Sequence, residues 1–213
     1  MLIVLLCVGQ IKAPSLDAIQ PPPGFAEKSI TELLSMLDRT DPNIREDATA
    51  AIAWRLGREI FTTTNVEPAL VRSILSKTSL LLQHDDNQRV RLAAVSVALQ
   101  LNAWTNTAPT LVEASADTNR LVRVRAITAL LDVNEKRHEQ VPSSVLSRLE
   151  ECFGPDASIE VLWQASFAAG KTGSPRFIPV LETLATNSNT KVRSYASEAV
   201  RKLESVPRKR VEP

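Results

Sequence analysis

The chain has 213 residues, enough for one domain or one compact array with a real core. Hydrophobic residues make up 44% and charged residues 23%, which excludes wholesale disorder. Lys and Arg total 25 against 24 Asp and Glu; a net charge of +1 lacks the basic excess of a generic nucleic-acid binder, so that partner class is disfavoured.

Residues 2–8 (LIVLLCV) form an apolar run too short to span a bilayer as a helix. Two readings stay open. One is the apolar part of an export signal whose start lies upstream. It suffers because no Lys or Arg precedes the run and because Ile11 and Ala13 suit a cleavage site poorly. The other is an apolar segment docked on the domain. The balance leans slightly to export and a periplasmic or external location, with the cytoplasm as the alternative. Residues 13–24 (APSLDAIQPPPG) read as a linker, because Pro21, Pro22 and Pro23 enforce extended geometry. The boundaries are thus a terminal segment at 1–24, a folded array over 25–205 and a basic tail over 206–213.

The array is predicted as five helix–turn–helix units, each an amphipathic segment followed by a turn and a Val/Ile-Arg-x-x-Ala helix. The first unit joins 29–38 to Asp41-Pro42-Asn43-Ile44-Arg45-x-x-Ala48, where Asp41 reads as an N-cap and Pro42 as the first helical residue. The second joins 67–83 to Asp86 and Val90-Arg91-x-x-Ala94. The third joins 109–115 to Asp117 and Val122-Arg123-x-x-Ala126. The fourth joins 142–153 to a degenerate copy, Asp156 and Val161-Leu162-x-x-Ala165. The fifth joins 175–186 to Asn187 and Val192-Arg193-x-x-Ala196. From Ile44 to Val192 the anchors are 46, 32, 39 and 31 residues apart, which describes one unit with insertions. Counting the anchor as position 0, small or apolar residues recur at +4, +7 and +8, the helical period. Pro68, Pro109, Pro142 and Pro175 open first helices, where the missing N–H costs nothing. A lone unit cannot bury its stripe, whereas stacked units can. The expected fold is all-α, an α-solenoid.

Little in this pattern suggests chemistry. Cys7 and Cys152 cannot form a disulfide framework, and Cys152 reads as a buried inert thiol. His84 and His138 are the only histidines; no cluster has metal-ligand spacing, and no cofactor is expected. His138-Glu139 reads as a surface loop. The string Ala165-x-x-x-x-Gly170-Lys171-Thr172 approaches a phosphate loop, but it lacks the preceding strand such a loop requires. No Ser or Cys has an identifiable His partner.

The stretch Ala165-Ser-Phe-Ala-Ala-Gly170-Lys-Thr-Gly173-Ser-Pro175-Arg-Phe-Ile178-Pro179-Val-Leu181, continuing into Val192-Arg193-x-x-Ala196, resembles the HEAT repeat of the phycobilisome-lyase type. The resemblance covers about residues 29–205, strongly in the last unit and weakly in the first. It departs from the pattern at Leu162, at Asn187 and Asn189, and in the long loop 57–66. It implies a structural ladder between units, with Arg45, Arg91, Arg123 and Arg193 facing Asp41, Asp86 and Asp117. It also implies that second helices line a concave face and that the function is a non-catalytic protein–protein interaction scaffold. The alternative is a HEAT-like enzyme, either an alkylpurine DNA glycosylase using Trp54, Trp104, Trp163 and Asp132, or a bilin lyase. The first of these suffers from the near-neutral charge.

Positions +2, +3, +6 and +10 lie opposite the core stripe at 100° per residue. On the face so implied the first unit contributes Trp54 and the second Gln100. The third gives Arg125 and Asp132, the fourth Trp163, Gln164 and Phe167, and the fifth Tyr195 and Glu198. Trp163, Phe167 and Tyr195 would be neighbours in a chain poor in aromatics, which suggests a patch for a protein or peptide.

Overall fold

The computed structural model describes residues 23–59, 67–103, 105–138 and 140–205. The apolar run at 2–8, most of the proline-rich linker, Trp104, Glu139 and the basic tail lie outside the described residues. The described part is helical: α1 (Ile30–Met36), α2 (Pro42–Glu59), α3 (Pro68–His84), α4 (Gln88–Leu101), α5 (Ala108–Ala114), α6 (Arg120–Arg137), α7 (Ser143–Glu151), α8 (Ile159–Lys171), α9 (Ile178–Leu184) and α10 (Thr190–Ser205). A 3-10 turn over Pro175–Phe177 leads into α9.

Local chemistry sets the helix starts. Ser29 and Glu32 form a reciprocal capping box on α1, with the Glu32 N–H donating to Ser29 Oγ at 3.2 Å and the Ser29 N–H donating to Glu32 at 2.7 Å. Asp41 caps α2 as its sequence implies: its carboxylate accepts the Asn43 N–H at 2.9 Å, and Pro42 is the first helical residue. Asn87, Asn119, Ser158 and Asn189 cap α4, α6, α8 and α10 through their side-chain oxygens. In the last unit the asparagine does what aspartate does in the first. An amide oxygen accepts the orphan N–H groups as a carboxylate would.

Odd-numbered helices form one layer and even-numbered helices the other. Each even helix packs on its own odd partner and on the even helices before and after it. Alanine makes the second contact close. Ala48, Ala51, Ala94, Ala98, Ala126, Ala165, Ala168, Ala196 and Ala199 are buried where these helices meet. The core is continuous from Ile30 to Leu203, with Leu33, Ile52, Leu101, Ile127, Leu149 and Leu181 among its fully enclosed side chains. Among the described residues the architecture is an all-α solenoid of five helix pairs.

Four arginines strap the turns. In each, Nη1 donates to the carbonyl oxygens six and five residues earlier: Arg45 to Arg39 and Thr40, Arg91 to Asp85 and Asp86, Arg123 to Asp117 and Thr118, Arg193 to Asn187 and Ser188. In the first two the remaining edge of the guanidinium reaches the next unit. Arg45 grips Asp85 through two bonds of 2.6 and 3.0 Å, and Arg91 grips Asp117 at 2.7 and 3.0 Å. The ladder therefore exists, but the sequence reading of its rungs needs correction. Its second carboxylate is Asp85, not Asp86, because the rung lies six residues before the arginine. Asp41 serves as a cap instead. Among the described residues Arg123 meets no carboxylate, although Asp156 stands six residues before Leu162 just as Asp117 stands six before Arg123. Its Nε is buried and unpartnered, and its guanidinium faces the Cys152 thiol, which burial pushes up against the pull of Arg123. Arg193, in the last pair, makes no ion pair among the described residues.

Candidate functional site

The even-numbered helices line an apolar groove of about 210 Å³. Helix α2 contributes Glu46 and Ala50 at one edge. Leu92, Ala93, Val95, Ser96 and Leu99 of α4 form the floor. Arg125, Thr128 and Asp132 of α6 form the opposite wall, and Phe167 of α8 closes one end. Position +6 of four consecutive units meets here, as Ala50, Ser96, Thr128 and Phe167, because stacked helices in one register bring equivalent residues together.

The predicted partner residues fall into three places. Arg125, Asp132 and Phe167 share the groove. Trp163, Tyr195 and Glu198 lie at the α8–α10 junction, beside Phe167. There the Trp163 and Tyr195 rings are 5.0 Å apart, and Phe167 meets Tyr195 edge-on at 6.1 Å. Lys191 Nζ sits 3.7 Å from the Trp163 ring centre. The three aromatics are therefore neighbours, as their spacing implies. Trp163 itself is only 6% exposed and Gln164 only 3%, so both act chiefly in packing one unit on the next. Burial among these rings raises the pKa of the Tyr195 hydroxyl. Trp54 and Gln100 belong to a third place, on α2 and α4. Trp54 stacks under Arg58 at 4.7 Å, and Gln100 lies over Gly57. Trp54 and Trp163 do not line the groove that holds Asp132.

The charges of the groove are mostly spoken for. Arg89 pairs with Glu46 at 3.0 Å. Asp132 binds Lys171, which also reaches Glu135 at 3.3 Å. Burial alone would lower the Lys171 pKa, but the two carboxylates outweigh it and hold it above its ordinary value. This lysine of the phosphate-loop-like string lies inside α8, not after a strand. Glu198 is gripped by Arg201 at 2.7 and 3.0 Å, which holds its carboxyl below the usual range.

The floor residues Leu92, Ala93 and Ser96 escaped the sequence reading. They occupy positions +2, +3 and +6 of the second unit, so the register was present in the sequence. Their small or aliphatic side chains carry no chemical flag beside the aromatic and charged residues of the same face. Val124 and Trp163, at +2, are buried instead of facing the groove. A helix flanked by neighbours on both sides buries a wider arc than a single stripe implies.

No protein-family model and no curated protein matches the chain. Among solved structures it is similar to a designed armadillo repeat protein, at 22% identity and a TM-score of 0.51, with 82% of each chain covered. It is also similar to a designed armadillo repeat protein in complex with the peptide (KR)4. That match has 20% identity and a TM-score of 0.53, covering 82% of this chain and 81% of the other. A further engineered protein matches at 17% identity and a TM-score of 0.57 over 85% and 88%. These likenesses establish the fold: a helical repeat solenoid of the HEAT and armadillo kind. Among the described residues no helix is long and apolar enough to cross a membrane.

Proposed function

We propose that the protein is a non-catalytic scaffold that binds a segment of a protein partner in the groove of its even-numbered helices. The observation that carries this reading is the groove itself. Four consecutive units contribute to one continuous apolar floor with charged edges, the composition of an interface centre and rim. Its volume of about 210 Å³ is below the roughly 300–1,000 Å³ of small-molecule sites, and suits one or two side chains of a longer segment. A designed armadillo relative in fold holds a peptide. The likeness of residues 165–203 to phycobilisome-lyase-type repeats bears on the shape of the unit and adds no catalytic residue. Tyr195 and Glu198, both half-buried, would extend the surface beyond Phe167, with Trp163 packed against Tyr195.

A random-peptide library selected against the protein tests the reading, with counter-selection against Ala50→Trp, which fills the groove from its edge. Peptides that bind the parent and lose at least tenfold in affinity for the filled variant are expected. Binders indifferent to Ala50→Trp would place recognition elsewhere.

A further inference from the structure

We infer that the groove recognises an Asp or Glu side chain of an otherwise apolar peptide segment, and that Arg125 is the residue that receives it. This rests on the groove being the binding surface.

Every ionised group lining the groove has a partner except Arg125. Arg89 is held by Glu46, and Asp132 by Lys171. Arg125 makes no hydrogen bond or ion pair among the described residues. Its Nε is shut off from solvent with nothing to donate to. The one carboxylate acting on it, Glu160, is exposed, forms no bond with it, and accepts instead from the Gln164 amide at 3.3 Å. Burial is the main influence on this guanidinium and pushes its pKa down. Arginine does not release its proton in proteins, so the group stays charged and under-solvated. An unpaired charge half-buried in an apolar wall is costly to the fold. Arg45, Arg91 and Arg123 show how this chain otherwise treats arginines: each is spent on backbone carbonyls, and two of them on a carboxylate.

The terminal nitrogens of Arg125 are not enclosed as Nε is, and Thr128, one turn on, lines the groove beside it. A carboxylate arriving over the α4 floor would meet the planar fork of a guanidinium already desolvated. Little further desolvation is then needed to form the pair. The charge of the occupant follows from the surroundings. A phosphate would face one free cation flanked by Glu46 and Asp132, whereas phosphate sites gather several basic groups. A nucleic-acid backbone needs more cations still. A singly charged carboxylate matches one guanidinium. Leu92, Val95 and Leu99 then call for aliphatic or aromatic residues next to the acid.

Peptides from the selection described above are the probes. The expected result is an acidic residue at a fixed position beside apolar ones. On the unmodified protein, changing that residue from Glu to Gln (or Asp to Asn) should weaken binding at least tenfold, about 1.4 kcal/mol. Against Arg125→Met the acidic and amide peptides should bind alike, which closes a double-mutant cycle on this pair. Groove-dependent peptides with no fixed acid, or an acid-to-amide change that costs less than threefold, would overturn the inference and leave the groove reading standing. Binders indifferent to Ala50→Trp would overturn both. The peptide-side change needs no protein variant, so it decides the matter even if Arg125→Met folds poorly.

Discussion

Asp85 and Asp86 stand side by side in one turn, yet only the first holds two units together. Burial alone would raise the Asp85 pKa. The hydrogen bonds from Arg45 and the Asn87 N–H, with the charges of Arg45 and Arg91, outweigh it and hold the carboxyl below its usual value. A depressed folded-state pKa contributes stability that is present above the unfolded carboxylate pKa and lost as pH falls through the folded value. Asp85→Asn should therefore destabilise the protein at neutral pH by about 2–3 kcal/mol, between the surface and fully buried limits for an ion pair. Asp86→Asn should change stability by less than about 0.5 kcal/mol. In thermal melts the gap between parent and Asp85→Asn should narrow as pH falls below the ordinary carboxylate range. A pH-independent gap would mean that the pair is not what Asp85 contributes. His138 offers a second residue-level test. It ends α6 with φ of 56°, a left-handed conformation that favours glycine. His138→Gly is expected to raise stability by about 0.5–1 kcal/mol in denaturant unfolding.

At the scale of elements, alanine and glycine set how closely even-numbered helices approach. A Cβ on Gly170 would stand 3.0 Å from both Cα and Cβ of Ala199, so α8 and α10 would have to part. Gly170→Ala should cost about 1–3 kcal/mol, the usual range for overpacking, despite its better helix propensity. Equal or higher stability would refute a close-packed junction. Much of this was legible in the sequence. The Val/Ile-Arg-x-x-Ala spacing placed all five second helices, and Asp41-Pro42 marked the start of α2. Gly57 and Gly170 lie in the last turns of α2 and α8, and Gly170 also lets α10 come close. Single-helix propensity cannot show that a glycine admits a neighbouring helix. The missing rung at Arg123 was hidden for a similar reason. Asp156 sits at the right count before its helix, in a connection two residues longer than that between α5 and α6, and makes no pair with the arginine.

For the molecule as a whole, one register repeated along the stack creates both the core and the groove. The even helices turn their alanines to their neighbours, and α6 turns its +3, +6 and +10 positions to the groove. Arg125, Asp132 and Phe167 could thus be placed from the sequence, whereas the apolar floor from α4 could not. The same stacking makes the last pair necessary. Removing residues 175–213 would strip Tyr195 and Lys191 from Trp163 and bare the α8 alanines. A truncation after Ser174 should unfold at a clearly lower temperature than the full chain, as followed by circular dichroism. The central claim is that the groove of the even helices is the binding surface. Amide chemical-shift mapping with a selected peptide tests it most directly. The shifts should cluster on Leu92, Val95, Leu99, Arg125, Thr128 and Phe167; shifts confined to the odd-numbered helices α3, α5 and α7 would contradict it.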